Sequence, residues 1–176
     1  MLRLLLLPVV FLALTTACKQ KRKSPHETVK GNGVHVTYGR PFKNGRDIFG
    51  GLEKYGQVWR TGADEATEIT FDHDVLFAQK PVKAGSYTLF TIPNETEWTI
   101  ILNSELGQWG AYDYSKYKNK DVLHVNVPVH PLDAVVEQHT IRFTPDNTMI
   151  IEWDKTQVQI PIQADDHKTL NSTMPN

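Results

Sequence analysis

The residue types best suited to chemistry are concentrated in one short segment of the chain, residues 58–69. It contains Trp59, Arg60 and Glu65, with a glycine between the arginine and the acid. A guanidinium group binds a carboxylate or a phosphate through two parallel hydrogen bonds, and an aromatic ring offers a flat face for stacking. The segment therefore has the groups needed to bind an anionic or glycan-like ligand.

The same residues also fit a purely structural corner. In that interpretation Arg40 and Arg60 form ion pairs with Glu65 and Asp47, while Trp59 closes the open end of the core. Half-buried ion pairs of this kind specify geometry but add little stability. The residue types alone leave both interpretations open.

Two long segments, residues 39–66 and 104–121, follow neither a strand pattern nor a helix pattern. Loops of this length are uncommon in compact domains and are often functional. The first segment adds Arg40, Arg46 and Tyr55 to the ligand-binding candidates.

The second segment adds Trp109 as a ligand-binding candidate, together with three tyrosines. If this segment is extended, Tyr112 and Tyr114 point to the same side. The rings fit either a platform for sugar rings or anchors that hold the loop against the domain, because aromatic side chains bury a large area at low entropic cost.

Candidates for acid–base catalysis are His26 and Glu65, which would make the protein a small hydrolase whose arginines hold an oxyanion or a substrate carboxylate. Ser24 lies two residues before His26, but this spacing supplies no orienting acid for a nucleophile. The chain has no metal-ligand spacing of the His-Glu-x-x-His or Cys-x-x-Cys type, no phosphate loop and no dinucleotide fingerprint. No metal or cofactor is therefore expected, and catalysis stays undecided.

The N-terminus has the charge and apolar pattern of an export signal. Arg3 precedes an apolar run over residues 4–14, which is too short to span a bilayer, and small residues then lead to Cys18. The ending Thr-Thr-Ala-Cys resembles a bacterial lipoprotein box, so residues 1–18 are predicted to be a signal peptide and Cys18 a lipidation site. The alternative is a plain secretory signal.

The residues after Cys18 predict the environment of the mature chain. Residues 19–23 are rich in lysine and arginine, and a polybasic segment beside an acyl anchor favours anionic lipid headgroups. The whole chain has 19 basic and 20 acidic residues, a net charge of −1, which argues against a nucleic-acid partner. We therefore expect a protein on the periplasmic face of a bacterial membrane, or a secreted one.

Alternating apolar and polar residues predict a β protein. The predicted strands are residues 34–38, 67–72, 75–79, 86–92, 98–103, 122–127, 139–144, 148–153 and 157–162. Turn-forming residues separate them, notably the 72–74 turn and the hairpin turn at 145–147. Roughly nine short strands without crossover helices indicate a single antiparallel β-sandwich over residues 24–163 with two long loops, followed by a polar tail at 164–176.

A series of short motifs resembles a known family. The motifs are SPH at 24–26, YGRP at 38–41, GRDIFG at 45–50, YGQVWRTGA at 55–63, AGSYTLFTIP at 84–93, EWT at 97–99 and WG at 109–110. Together they resemble domain-of-unknown-function family 2911, a family of exported bacterial envelope proteins. The resemblance runs from Ser24 to about residue 162 and implies export and a β-rich domain. Asp64 departs from the pattern, which has asparagine there.

Three hypotheses for the function follow. The first is a lipid-anchored envelope sandwich that binds an anionic or glycan-like ligand at a rim of arginines and rings. The second is the small hydrolase with His26 or Glu65, and the third is a purely structural envelope protein. The relative positions of His26, Arg60 and Glu65 distinguish among them, because a site requires that these groups line an open cleft.

Overall fold

The computed structural model describes residues 21–165. The predicted signal peptide, the lipidation site Cys18 and residues 166–176 of the predicted tail lie outside the described residues. Within the described part there is no helix long and apolar enough to cross a membrane.

The domain is built almost entirely from antiparallel strands. They are β1 (His26–Gly31), β2 (Val34–Gly39), β3 (Thr67–Phe71), β4 (Val75–Phe77), β5 (Lys80–Val82), β6 (Gly85–Ile92), β7 (Glu97–Asn103), β8 (Asp121–Phe143) and β9 (Thr148–Ala164). One short helix, α1 (Tyr114–Tyr117), and a 3-10 turn (Lys118–Lys120) interrupt the second long loop. The hydrogen-bonded order is β1-β2-β3-β6-β7-β8-β9-β4-β5.

The 23-residue strand β8 joins the two halves of the sandwich. Its first part, as far as Pro128, pairs with β7, and its second part, from Val129, pairs with β9. Two register shifts on the β9 side, next to Pro131 and Val136, allow the strand to change direction. The two halves therefore face each other across one hydrophobic core.

Tryptophans fill the centre of this core. Trp59, Trp98 and Trp153 are each at most 3 % exposed. The rings of Trp59 and Trp153 are stacked with centroids 6.0 Å apart, and Phe49 packs edge-on against Trp98 at 4.8 Å. Because aromatic side chains bury large areas, this cluster provides much of the hydrophobic stabilisation.

The structure confirms the predicted all-β sandwich, although the strand inventory differs in detail. The predicted strands 122–127 and 139–144 are both part of β8, and 148–153 and 157–162 are both part of β9. The turn at 145–147 is a hairpin as predicted: Thr144 N–H donates to Thr148 O at 3.0 Å, and Asn147 has a left-handed φ of 61°.

Two strands, β1 and β5, have no counterpart in the predictions. Both are outermost strands of the sheet order, and most of their residues are not fully buried, so they lack the apolar alternation that identifies a strand. The 72–74 turn is also not a hairpin: β4 pairs with β5 and β9 rather than with β3. The chain crosses there from one half of the sandwich to the other.

The second long loop covers the outer face of β6 and β7. Its residue Tyr114 packs edge-on against Phe90 at 5.2 Å, in a small cluster with Ile101 and Ala66. Tyr114 is buried while Tyr112 is 76 % exposed. The expectation that these two rings share a side was wrong, because the segment forms turns and α1 and is not extended.

Candidate functional site

A close crossing of two parts of the chain positions residues 58–69 at one end of the sandwich. Trp59 and Thr91 exchange backbone hydrogen bonds of 2.7 and 2.9 Å, so the segment lies beside the end of β6. Beyond it the backbone passes Gly39 so closely that a Cβ on that glycine would lie 2.2 Å from Ala63 O. A side chain at position 39 would therefore push apart the backbone that forms the site.

Strained backbone accompanies this crossing. Thr61 is fully buried and has a left-handed φ of 57°, which is unfavourable for a β-branched residue. Such a conformation costs about 1–3 kcal/mol and persists only where its surroundings impose it. Here the Thr61 hydroxyl donates to Thr91 Oγ1 at 3.1 Å, and its carbonyl accepts from Thr67 Oγ1 at 2.8 Å. The strain lies immediately after Arg60, at the turn that places this arginine.

A cleft of about 300 Å³, which we call the Arg60 cleft, opens at this end of the sandwich. Its lining includes the side chains of Phe42, Arg46, Leu52, Glu53, Arg60 and Asp64. The segment 23–25 and Trp153 also line it. The volume suits a ligand of the size of a monosaccharide or an amino acid.

Two groups in this cleft, the Arg60 guanidinium and the Glu53 carboxyl, make no side-chain hydrogen bond or ion pair with other residues of the described part of the chain. The buried Nε of Arg60 has no hydrogen-bond partner, and among residues 21–165 neither the Arg60 guanidinium nor the Glu53 carboxyl makes a side-chain hydrogen bond or ion pair. The two groups still influence each other electrostatically. Burial raises the pKa of Glu53 to about 7, although the charges of Arg60 and Arg46 act in the opposite direction.

The other two predicted arginines serve the protein itself. Arg40 is fully engaged: its Nη1 lies 2.8 Å from Glu27, its Nη2 donates to Thr140 at 3.1 Å, and its Nε donates to the carbonyl of His139 at 3.3 Å. Arg46 lines the cleft, but its Nε donates to Lys43 O at 2.8 Å and its Nη2 to Phe42 O. Arg46 thus shapes the loop as well as the cleft.

A second, smaller cavity of about 120 Å³ contains the predicted acid–base pair. Glu65 Oε2 lies 3.0 Å from His26 Nε2, without hydrogen-bond alignment at the ring, and Glu65 Oε1 accepts from Arg22 Nε at 2.8 Å. The other ring nitrogen, Nδ1, lies 3.2 Å from Ser24 O. Partial burial raises the pKa of Glu65. The hydrogen bond to its own backbone, the hydrogen bond from Arg22 and the charges of Arg22 and His26 lower the pKa by more, so the net change is a decrease.

The predicted ion pairs of Arg40 and Arg60 with Glu65 and Asp47 are therefore wrong. Glu65 pairs with Arg22 and His26, and Arg40 pairs with Glu27. Partner choice depends on the N-terminal segment, which runs past Glu65 as it enters β1. No spacing within residues 58–69 encodes that approach.

Asp64 holds the segment 23–25, which lines the Arg60 cleft, while the neighbouring residues Arg22 and His26 line the smaller cavity. The Asp64 carboxylate accepts the backbone N–H groups of Lys23 and Ser24 at 3.0–3.1 Å. Asp64 itself has a left-handed φ of 64°, a conformation that aspartate and asparagine tolerate best after glycine. The aspartate at this position thus meets two requirements, a left-handed backbone conformation and a side-chain oxygen that accepts hydrogen bonds.

The predicted aromatic residues divide between core and surface. Trp59 is 3 % exposed, and its Nε1 donates to Gly62 O at 3.2 Å, so it cannot stack on a ligand and acts as the core plug of the structural interpretation. Trp109 is half-buried and bridges to Glu65, while Tyr55 is 39 % exposed. Neither ring lines the Arg60 cleft.

Sequence reasoning missed Glu53, Phe42 and Leu52. All three belong to the glycine-rich segment, but their chemistry emerges only from the fold, because Glu53 is distinguished by burial beside Arg60. An acid flanked by apolar Leu52 within a glycine-rich loop was the available signal.

Within residues 21–165, no group of three or more His, Cys, Asp or Glu side chains could hold a metal ion. The groups that line the two cavities are those of ligand binding and proton exchange: arginine, carboxylate and imidazole.

Comparison with known proteins places the chain in a family. The model of the family described as Protein of unknown function (DUF2911) matches residues 20–162. The chain belongs to this family. No curated protein and no solved structure matches it. The resemblance inferred from the short motifs is thereby confirmed, and the DUF2911 match covers the sandwich from the approach to β1 almost to the end of β9.

The shifted pKa of Glu53 predicts a pH-dependent stability for this DUF2911 domain. The folded-state pKa of about 7 lies above the ordinary pKa of 4.5, so folding takes up protons between these values and stability decreases as the pH rises through that window. Glu53→Gln removes this effect. We expect the variant to be more stable than the wild type by about 1–2 kcal/mol at pH 8, since solvent contact reduces the full effect of about 3 kcal/mol.

Urea unfolding of both proteins at pH 4.5 and pH 8 measures the difference. The two stabilities should nearly converge at the lower pH, where Glu53 is protonated in the folded chain and already about half protonated in the unfolded chain. A constant difference across the range would mean that the carboxyl is ordinarily solvated.

Proposed function

We propose that the protein is an exported, lipid-anchored β-sandwich of the bacterial cell envelope that binds a small ligand in the Arg60 cleft. The ligand carries both an anionic group and hydrogen-bond donors, as an acidic sugar does. The observation that carries the proposal is that the Arg60 guanidinium, whose buried Nε has no hydrogen-bond partner among the described residues, lies in one cleft with the Glu53 carboxyl.

The energetic argument starts from the cost of such groups. A buried polar group without a hydrogen bond, and still more a charge without a counter-ion, destabilises a fold by about 1–3 kcal/mol or more. A structural corner would pair Arg60, as Arg40 is paired with Glu27. The Nε of Arg60 is buried without such a bond, and the half-buried Glu53 carboxyl faces the same cleft, so a ligand that completes their bonding would offset this cost.

The chemistry of the ligand follows from the two groups. The Arg60 fork binds a carboxylate or phosphate in two parallel hydrogen bonds, and Glu53 accepts hydrogen bonds from hydroxyl or amine groups when ionised. Phe42 and Leu52 supply apolar contact at the same cleft. A uronic acid combines these features in one ring.

The hydrolase hypothesis has weaker support. His26 and Glu65 do line one cavity, but Glu65 is occupied by Arg22 and His26, and the second ring nitrogen of His26 faces the carbonyl of Ser24. Arg60 lines the other cavity, so the three groups do not line one cleft, which favours the structural hypothesis over a shared site at these residues. Arg60 does not complete a catalytic set with this pair, and the ligand proposal rests on Arg60 and Glu53 instead.

The ligand proposal is tested by measuring the affinity of the purified protein for glucuronate by calorimetry, with glucose as the neutral comparison. We expect measurable binding of glucuronate and at least about tenfold weaker binding of glucose, since each tenfold step is about 1.4 kcal/mol. Arg60→Met should abolish the preference, and Arg60→Lys should retain part of it because the charge remains while the fork is lost.

The control is Arg142→Met, which removes an exposed arginine that pairs with Glu152 on β9. Binding should then be unchanged. Because Arg60 makes no ion pair or side-chain hydrogen bond among residues 21–165, Arg60→Met should shift the melting temperature only slightly. Strong destabilisation by Arg60→Met with no glucuronate binding by the wild type would instead support the structural corner.

The location proposal is tested at Cys18, which supplies the lipid anchor in this proposal. The Thr-Thr-Ala-Cys ending after a short apolar run supports it. Cys18→Ser should leave the protein exported but without an acyl chain, so that it moves from the membrane fraction to the periplasmic fraction. Metabolic labelling with a fatty acid and fractionation measure this; an unchanged membrane fraction with no acyl label in the wild type would contradict it.

A further inference from the structure

The point at which the chain enters the sandwich is fixed at the end that contains both cavities. Lys23 and Ser24 donate their backbone N–H groups to Asp64, and Arg22 donates to Glu65. Pro25 O accepts the backbone N–H of Arg40 at 2.7 Å. Four residues in succession are thus attached to this end of the sandwich before β1 begins.

The distance from this attachment to the proposed lipid anchor is short. Cys18 lies four residues before Arg22 in the sequence. A fully extended chain spans at most about 3.6 Å per residue, so the reach is about 14 Å or less. An acyl chain on Cys18 would therefore keep the cleft end of the sandwich within one short tether of the lipid headgroups.

The exposed surface at this end suits such a neighbour. Phe42 and Leu52 are 42 % and 43 % exposed and line the cleft. Lys23 and Arg46, also exposed, line the same cleft. Single exposed apolar side chains are common on soluble proteins, but apolar and cationic side chains together at a tethered end have the composition of an interfacial surface.

We propose that the cleft end of the sandwich docks on an anionic phospholipid surface, with Phe42 and Leu52 at the level of the headgroups and Lys23 and Arg46 beside the lipid phosphates. This inference rests on the lipid anchor of the proposed function. The Arg60 cleft then opens toward the membrane, and its ligand is taken up at the bilayer surface.

The test measures which end of the domain is near the bilayer. The acylated full-length mature protein is reconstituted into vesicles of phosphatidylglycerol and phosphatidylethanolamine. Because Cys18 is the only cysteine and acylation blocks it, an introduced cysteine is the single free thiol for a fluorophore. Leu52→Cys places the label at the cleft, and Asp72→Cys places it at the opposite end, where Asp72 follows β3 and donates its N–H to Gly33.

Quenching by lipids with a nitroxide on the headgroup should be several-fold stronger for the label at position 52 than for the label at position 72. The difference should decrease in phosphatidylcholine vesicles, which lack net charge. Equal quenching at the two positions, with the protein still floating with the vesicles, would overturn the docking proposal and leave the anchor intact. If the protein carries no acyl chain and does not float with the vesicles, both the anchor and this inference are overturned. Glucuronate binding would still test the cleft.

Discussion

Phe90→Ala is expected to destabilise the protein by about 3–5 kcal/mol, the range for removing a buried aromatic ring. Phe90 is fully buried, and its ring packs edge-on against Tyr114 and beside Ile101. Truncation therefore leaves a cavity beneath the second long loop and also loosens the attachment of that loop. Urea unfolding at neutral pH measures the loss.

The matched control is Tyr112→Ala in the same loop. Tyr112 is 76 % exposed, so this substitution should change stability by less than about 0.5 kcal/mol. A loss below 1 kcal/mol for Phe90→Ala would show that the loop is not held by this ring. Both faces of this strand are covered, because Leu89 lies in the main core and Phe90 in the second cluster.

A second large effect is expected from His139 at acid pH. This histidine is fully buried among the rings of Tyr38, Trp59 and Trp153, and neither ring nitrogen has a hydrogen-bond partner among residues 21–165. Burial, together with the positive charge of Arg40, lowers its pKa to about 3. His139 is therefore neutral in the folded protein at any pH well above 3.

The sign of the pH effect follows from linkage. The unfolded chain binds a proton at His139 below the ordinary histidine pKa of 6.5, whereas the folded chain does so only near pH 3. The contribution is fully present above pH 6.5 and is lost as the pH falls, by about 1.4 kcal/mol for each unit, or roughly 4–5 kcal/mol at pH 3. His139→Phe removes this dependence at the cost of some overpacking at neutral pH.

Unfolding free energies of wild type and His139→Phe between pH 7.5 and pH 4 measure the effect as a difference. The carboxylates titrate in both proteins, so the difference isolates His139. The variant should gain stability relative to the wild type with each unit of acidification. Parallel pH profiles would show that the imidazole is protonated without cost in the folded state.

The fold class was accessible from the sequence because apolar alternation in segments such as 86–92 and 98–103 reports directly which residues face a core. The outermost strands β1 and β5 could not be predicted from the sequence, because their exposure removes that alternation. The continuity of β8 was also hidden, since Pro128 and Pro131 suggest a break. Both are exposed and lie where the strand changes partners.

The candidate site was accessible only in part. Arg46 and Arg60 were chosen for their side-chain chemistry, and both line the cleft. Trp59 and Arg40 were chosen on the same grounds, yet the fold places one in the core and pairs the other with Glu27. Residue type indicates what a side chain can bind, whereas the approach of distant segments decides whether it is still free to do so.

The outermost strand β5 has a consequence for the behaviour of the protein at high concentration. It is three residues long, begins with exposed Lys80 and has Pro81 at its centre, and exposed Lys83 follows it. Proline removes a backbone donor, and lysines repel a second copy, so this edge is poorly suited to recruit a strand from a neighbouring chain. An open sheet without covalent cross-links thus resists edge-to-edge aggregation on this side by local sequence alone.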